Sequence, residues 1–341
     1  KQGASATSAA QVELGILEGD PDVDSSTYSA GSFVLNNTGS EQVDSVTLDL
    51  STAAVPDVVF DPNGTAGDQT ALDFTLNSND GAGSVTHQFS RPHEGNVSDG
   101  YDVMEIAFSA FDPGDSITFR VDVDPTSIKN DTAPGPDESG SVSGLELTGT
   151  TLTLTDANGT VLETQTFSDG SQGGSTGIAD SSVPAAPTID VVGIAERPTT
   201  LSDEHTAETT SVANHTVEIS GPAGASVRLL RIHAGWFTDG LPGGPYDPED
   251  FEANSALGLE RSSPIDLGAD GRATVDVTLE RSGDDADLNY LVATAENGDG
   301  HTGLTSNTVV LEYDPAANDP PAAGFSFSPL NQRVDEPIEF E

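Results

Sequence analysis

Apolar residues in this chain alternate with polar ones over short stretches, and the stretches end in Gly, Asp, Asn or Ser. Val46, Leu48 and Leu50 flank Thr47 and Asp49, and Ile106 and Phe108 flank Ala107. Ile117, Phe119, Val121 and Val123 are spaced by Thr118, Arg120 and Asp122, which the same alternation points outward. A period of two puts one face of a strand on a core and the other in water, whereas a helix needs spacings of three and four. Repeated along the chain, the pattern predicts an all-β protein.

The 341 residues exceed what one sandwich needs, so two tandem β-sandwich domains are expected, the first jelly-roll-like and the second immunoglobulin- or fibronectin-III-like. Residues 1–10 read as a tail and 11–169 as the first sandwich. Within it, Phe111-Asp-Pro-Gly-Asp-Ser-Ile-Thr-Phe119 reads as a hairpin with its turn set by Pro113 and Gly114, and Asp156-Ala-Asn-Gly159 as another turn. Residues 170–187 are rich in Gly, Ser and Pro without apolar periodicity, which predicts a linker. The second sandwich is expected over 188–315, built on Ile189/Val191, Val217/Ile219, Val227/Leu229, Val275/Val277, Leu291–Ala295 and Val309–Tyr313.

Fifty-seven acidic against 11 Lys and Arg residues give a net charge of −46, which excludes the basic patch that nucleic acid or anionic lipid would need. An acidic disordered chain is the other reading of such a balance. It fits poorly, because the acids are interleaved with the alternating apolar runs. Adaptation to high salt fits better, since at molar salt the Debye length shrinks to about 3 Å and dense carboxylates barely repel. Only Lys1 and Lys129 are lysines, in keeping with a halophile's surface.

With no cysteine, disulfides and thiolate chemistry are excluded, and no apolar run approaches the roughly 20 residues of a membrane span. Because the chain starts at Lys1 without Met, a removed leader is one expectation. Six N-glycosylation sequons, at Asn36, Asn63, Asn96, Asn130, Asn158 and Asn214, together favour export to the cell surface.

The segment Pro320-Pro-Ala-Ala-Gly-Phe-Ser-Phe-Ser-Pro329, followed by Val334-Asp-Glu-Pro-Ile-Glu-Phe340, resembles the opening strands of a PKD domain. This resemblance implies that residues 316–341 are a linker and truncated PKD-like strands, with more chain beyond Glu341. Ser32–Gly39, Val59–Ala66, Asp99–Val103, Asp124–Lys129, Ser220–Gly224 and Phe251–Asn254 resemble modules of large haloarchaeal secreted surface proteins that combine malectin-like and PKD domains. That resemblance implies extracellular display with adhesive or glycan-related roles, and carries over no catalytic residue.

Calcium is the most plausible bound ion, because it takes six to eight oxygens from carboxylates at alternate loop positions. Asp20, Asp22 and Asp24 have that spacing, but Ser25 and Gly31 stand where an EF-hand needs Gly and Glu. Asp284, Asp285 and Asp287, with Glu296, Asn297 and Asp299, fall in expected turns, where a cation at a domain junction competes with ordinary turn formation. The long stretch 236–254 sets Trp236, Phe237, Tyr246 and Phe251 beside Asp247, a combination that suits stacking on sugar rings. Packing of Trp236 and Phe237 into the sandwich end is the plainer alternative.

No zinc-helix or phosphate-loop motif occurs, and the six histidines are scattered singly, so no enzyme is expected. The expected role is a non-catalytic structural or adhesive module of a halophilic surface or filament-forming protein. Its partners would be other surface-protein subunits, including copies of itself, or glycans; a carbohydrate-binding module using the 236–254 loop is the alternative.

Overall fold

The computed structural model describes residues 10–16, 27–53, 58–67, 70–126, 142, 144, 147–167, 174–193, 208–233, 259–279 and 287–315. Among them the regular elements are strands, with three short 3-10 turns, so the chain is all-β as its alternation requires. The expected tail and the PKD-like segment lie outside the described residues.

Residues 11–180 contribute β1 (Gln11–Ile16), β2 (Phe33–Asn37), β3 (Val43–Asp49), β4 (Val58–Phe60), β5 (Thr75–Asp80), β6 (Val85–Pro92), β7 (Tyr101–Phe111), β8 (Ser116–Arg120), β9 (Val123–Pro125), β10 (Thr151–Asp156), β11 (Val161–Gln165) and β12 (Ser175–Asp180). One sheet runs β12-β1-β2-β8-β5, and a seven-stranded sheet runs β11-β10-β3-β7-β4-β9 with β6 on β7. One apolar cluster fills this sandwich. Val12, Leu14, Phe33, Leu35, Ile117 and Phe119 come from the first sheet, and Val46, Leu48, Met104, Ile106, Leu152 and Leu154 from the second. Phe33 and Phe119, cross-strand partners, stack with centroids 4.8 Å apart. Each fully buried side chain of this size contributes about 1.5–3 kcal/mol.

Two local expectations are corrected. The Phe111–Phe119 stretch is not a hairpin: β7 lies in the seven-stranded sheet and β8 in the five-stranded one. Asp112–Asp115 does turn, with the Asp115 N–H donating to the Asp112 carbonyl at 3.0 Å, but it carries the chain between sheets. Phe111 and Ile117 thus enter one core from opposite sides. The expected strand 117–123 is likewise divided. β8 ends at Arg120, Val123 begins β9 in the other sheet, and Asp122, expected in water, is only 4% exposed.

The remainder forms β13 (Thr188–Val191), β14 (Glu208–Thr210), β15 (Asn214–Ser220), β16 (Ser226–His233), β17 (Leu259–Arg261), β18 (Ile265–Asp266), β19 (Arg272–Thr278), β20 (Asp287–Glu296), β21 (Thr302–Thr305) and β22 (Val309–Tyr313). A three-stranded sheet β13-β15-β19 faces a seven-stranded sheet β14-β22-β20-β16-β17, with β18 on β16 and β21 on β20. Ile189, Val191, Val217, Ile219, Val227, Leu229, Leu291, Ala293 and Leu311 form their shared core. Asn307 ties the sheets, donating from Nδ2 to the Ile189 carbonyl and accepting from its N–H, both at 2.9 Å.

The expected linker at 170–187 contains a strand. Residues 175–180 are β12, paired antiparallel with β1, so 181–187 alone separate the two sets of strands. The alternation in β12 is carried by small residues, with Ser175, Gly177 and Ala179 inward. A Cβ on Gly177 would stand 3.1 Å from the Gln165 carbonyl oxygen, so a bulky apolar residue has no room there.

Candidate functional site

Among the described residues, a set of polar contacts joins the two sandwiches at their junction. At the end of β12, the buried Asp180 accepts from the Ser182 N–H at 2.5 Å and its hydroxyl at 2.6 Å through Oδ1. Through Oδ2 it accepts from His301 Nδ1 at 2.8 Å. His301 belongs to the β20–β21 turn. Asn297 shapes that turn by accepting the N–H groups of Asp299 and His301 on Oδ1, both at 2.9 Å. The Asn297 Nδ2 then donates to Ser182 Oγ at 2.7 Å, closing a ring of bonds across the junction.

A second set of contacts joins β11 to β21. Thr164 Oγ1 donates to the Thr302 carbonyl, and Gln165 Oε1 accepts the Thr305 N–H, each at 2.5 Å. Gln165 is itself anchored by Nε2 on the Gly149 carbonyl at 2.9 Å. Backbone meets backbone as well: a Cβ on Gly303 would lie 2.2 Å from the Pro184 carbonyl oxygen. Leu230, Val292 and Val310 face away from the second core and belong to the apolar cluster of the first, together with Phe167 and Ala179. Paired polar groups around shared apolar burial fix one orientation, where a polar interface alone would let domains move.

A smaller polar cluster lies where β6 meets β7. Arg91 donates from Nε to Asp102 Oδ2 at 3.0 Å and from Nη2 to Ser51 Oγ at 2.6 Å, and its guanidinium also bonds Asp49. His93 Nδ1 donates to Asp102 Oδ1 at 2.8 Å. Burial alone would raise the Asp102 pKa, but the bonds and charges of His93 and Arg91 outweigh it and hold the carboxyl below its ordinary value. Burial would also lower the Arg91 pKa, and Asp49 and Asp102 raise it instead. Arg91 and Glu94 sit at φ of 53° and 49°, a region that costs non-glycine residues about 1–3 kcal/mol and that the surrounding bonds must offset. Ser51 Oγ donates to Asp49 at 2.6 Å and accepts from Arg91, so Asp49, Ser51, Arg91 and Asp102 form one bonded cluster.

Of the residues singled out from the sequence, Trp236, Phe237, Tyr246, Asp247 and Phe251 lie outside the described residues, as do Asp20, Asp22, Asp24, Asp284, Asp285 and Asn130. Asp287 is not in a turn: it opens β20, with its backbone opposite Tyr313. Asn297 forms its turn and is also a junction contact. Glu296 accepts from Arg228 Nε at 2.5 Å. Among the described sequons, Asn63, Asn96, Asn158 and Asn214 are exposed in or beside turns, and Asn36 is half-buried within β2. Sequence reasoning missed Asp180, His301, Gln165 and Thr164, because their partners lie more than a hundred residues away.

No protein-family profile matches the chain, and no curated protein matches its sequence. Among solved structures, trypsin-activated alpha-2-macroglobulin from Escherichia coli aligns at 10% identity and a TM-score of 0.23, over 92% of this chain and 16% of that one. The BSP domain of a biofilm associated protein aligns at 11% identity and a TM-score of 0.25, over 92% of this chain and 62% of that one. A membrane anchored protein from Corynebacterium diphtheriae aligns at 8% identity and a TM-score of 0.21, over 90% and 58%. The chain spans less than two thirds of each of these structures. Among the described residues, no helix is long and apolar enough to cross a membrane.

Proposed function

We propose that this chain is a non-catalytic structural module of a salt-adapted, extracellular surface or filament-forming protein, acting as a stiff spacer between neighbouring parts of an assembly. The observation that carries this reading is the junction. Two sandwiches share an apolar cluster and a ring of hydrogen bonds through Asp180, Ser182, Asn297 and His301, which suits transmission of position over transmission of a chemical signal.

The acidic composition and the exposed sequon asparagines support display in a saline exterior, with other surface subunits or further copies of this chain as partners. Immunogold electron microscopy of intact, unpermeabilised cells that make the protein tests the proposal. Regular labelling at the cell envelope or along filaments is expected. Label confined to permeabilised cells would overturn it.

A further inference from the structure

A sheet edge with an unpaired row of N–H and C=O groups is a template for a strand of another chain, and proteins close such edges. Most edges here are closed. Phe167 bridges the outer side of β12, its N–H bonding the Thr176 carbonyl at 2.9 Å. β11 and β21 meet in the junction through Thr164 and Gln165. Asn307 occupies both polar main-chain groups of Ile189 on β13. On β19 the Arg272 and Thr278 carbonyls accept from the Gly268 N–H at 3.0 Å and Arg231 Nη1 at 2.9 Å. β9, β14, β17 and β18 are three residues long or shorter. β5 is interrupted by a bulge between Leu76 and Ser78.

β6 is different. It runs for eight residues and pairs with β7 in unbroken register from Val85 opposite Phe108 to Ser90 opposite Val103. No described strand pairs with its other side. The Ser109 N–H bonds the Ser84 carbonyl at 3.0 Å, so residue 84 turns its main-chain groups to β7. Alternation then directs those of Val85, His87 and Phe89 to the open side.

Charge selects the occupant. β5, β9, β11, β12, β13, β14, β17, β18 and β19 each contain Asp or Glu, whereas β6 contains none, and no acid occurs from Gly81 to His93. That run carries His87, Arg91 and His93 instead. The nearby Asp73 is bonded to His87 Nε2 at 2.9 Å. At molar salt the Debye length is about 3 Å and paired strands lie about 4.8 Å apart, so repulsion is confined to acids brought edge to edge. Two copies, each of net charge −46, escape that repulsion where both present β6.

We propose that β6 pairs antiparallel with β6 of a second copy across a two-fold axis, joining two seven-stranded sheets into one. This rests on the reading of the chain as an assembling module and names the surface on which it meets its own kind. Each copy satisfies the outward main-chain groups of the other. The contact closes on itself and yields a dimer, so a filament needs a second surface as well.

Sedimentation velocity of the whole chain in molar KCl over a range of concentrations tests the pairing, and a reversible monomer–dimer equilibrium is expected. His87→Pro removes one N–H from the open side, where an edge strand tolerates proline, and should weaken dimerisation about tenfold or more. Should that variant fail to fold, Thr86→Asp combined with Gln88→Asp, both at exposed positions, must give the same loss by setting carboxylates against one another. Because the chain has no cysteine, single substitutions report the geometry. Thr86→Cys or Gln88→Cys should give a disulfide-linked dimer on mild oxidation, and Thr274→Cys, exposed on β19, should not. A chain that stays monomeric, as it would if a segment of its own lay along β6, overturns the proposal. So does a dimer that survives both β6 variants or crosslinks as readily through Thr274→Cys. A monomer whose immunogold label still lies at the cell envelope would overturn the pairing alone. A β6-dependent dimer confined to the cell interior would overturn the surface reading alone.

Discussion

At the scale of single residues, two carboxyl groups report how this acidic protein treats its buried acids. Asp156 is 3% exposed; burial would raise its pKa, but the Thr160 and Asn158 N–H groups, donating to Oδ1 at 2.7 and 2.8 Å, lower it below the ordinary value of 3.8. Asp102 is lowered by His93 and Arg91 against the same burial. A depressed native pKa means that the unfolded chain binds more protons than the folded one below 3.8. Each group's stabilisation is therefore complete above its ordinary value and is lost as pH falls through the native one. Asp102→Asn should cost about 1–2 kcal/mol at neutral pH, with the partly exposed Arg91 discounted for screening. Chemical denaturation of the variant and the unaltered protein should converge as the solution is acidified through that window. A gap that persisted unchanged in strong acid would refute the assignment.

At the scale of elements, inward and outward positions were legible wherever large apolar residues marked them. Val46, Leu48, Ile106, Phe108, Ile117, Phe119, Val217, Ile219 and Leu291 are buried as their alternation required. Elements marked by small residues were not legible: β12 hides its pattern in Ser175, Gly177 and Ala179 and so passed for linker. The junction was equally silent, since Gly303 in β21 has no side chain to announce a contact. Gly303→Ala places its Cβ 2.2 Å from the Pro184 carbonyl oxygen, a backbone atom that cannot rotate away. The substitution should cost about 1–3 kcal/mol as the junction is forced open. Gly298→Ala, in the neighbouring turn with nothing within 4 Å, should stay within about 0.5 kcal/mol. Calorimetric melting of the pair measures the contrast.

At the scale of the whole molecule, the shared cluster through Leu230, Val292 and Val310 should make the two sandwiches melt together. A single calorimetric transition is expected in molar KCl, and its midpoint should fall as salt is reduced. Near 0.1 M salt the Debye length grows from about 3 to about 10 Å, and the net charge of −46 begins to repel itself. Two well-separated transitions, or a midpoint indifferent to salt, would count against a welded, salt-shielded particle.

The sequence by itself determined that the chain is made of strands and which large apolar side chains enter the cores, because alternation is a local property. Tertiary structure alone decided that β7 and β8 part into different sheets, that the Asp61 N–H bonds the Asp122 carbonyl, and that Asp180 meets His301. The physical reason is that alternation tells a residue to face inward without saying which strand will lie beside it. Backbone hydrogen bonds are alike along every strand, so partners are chosen by how the assembled faces pack.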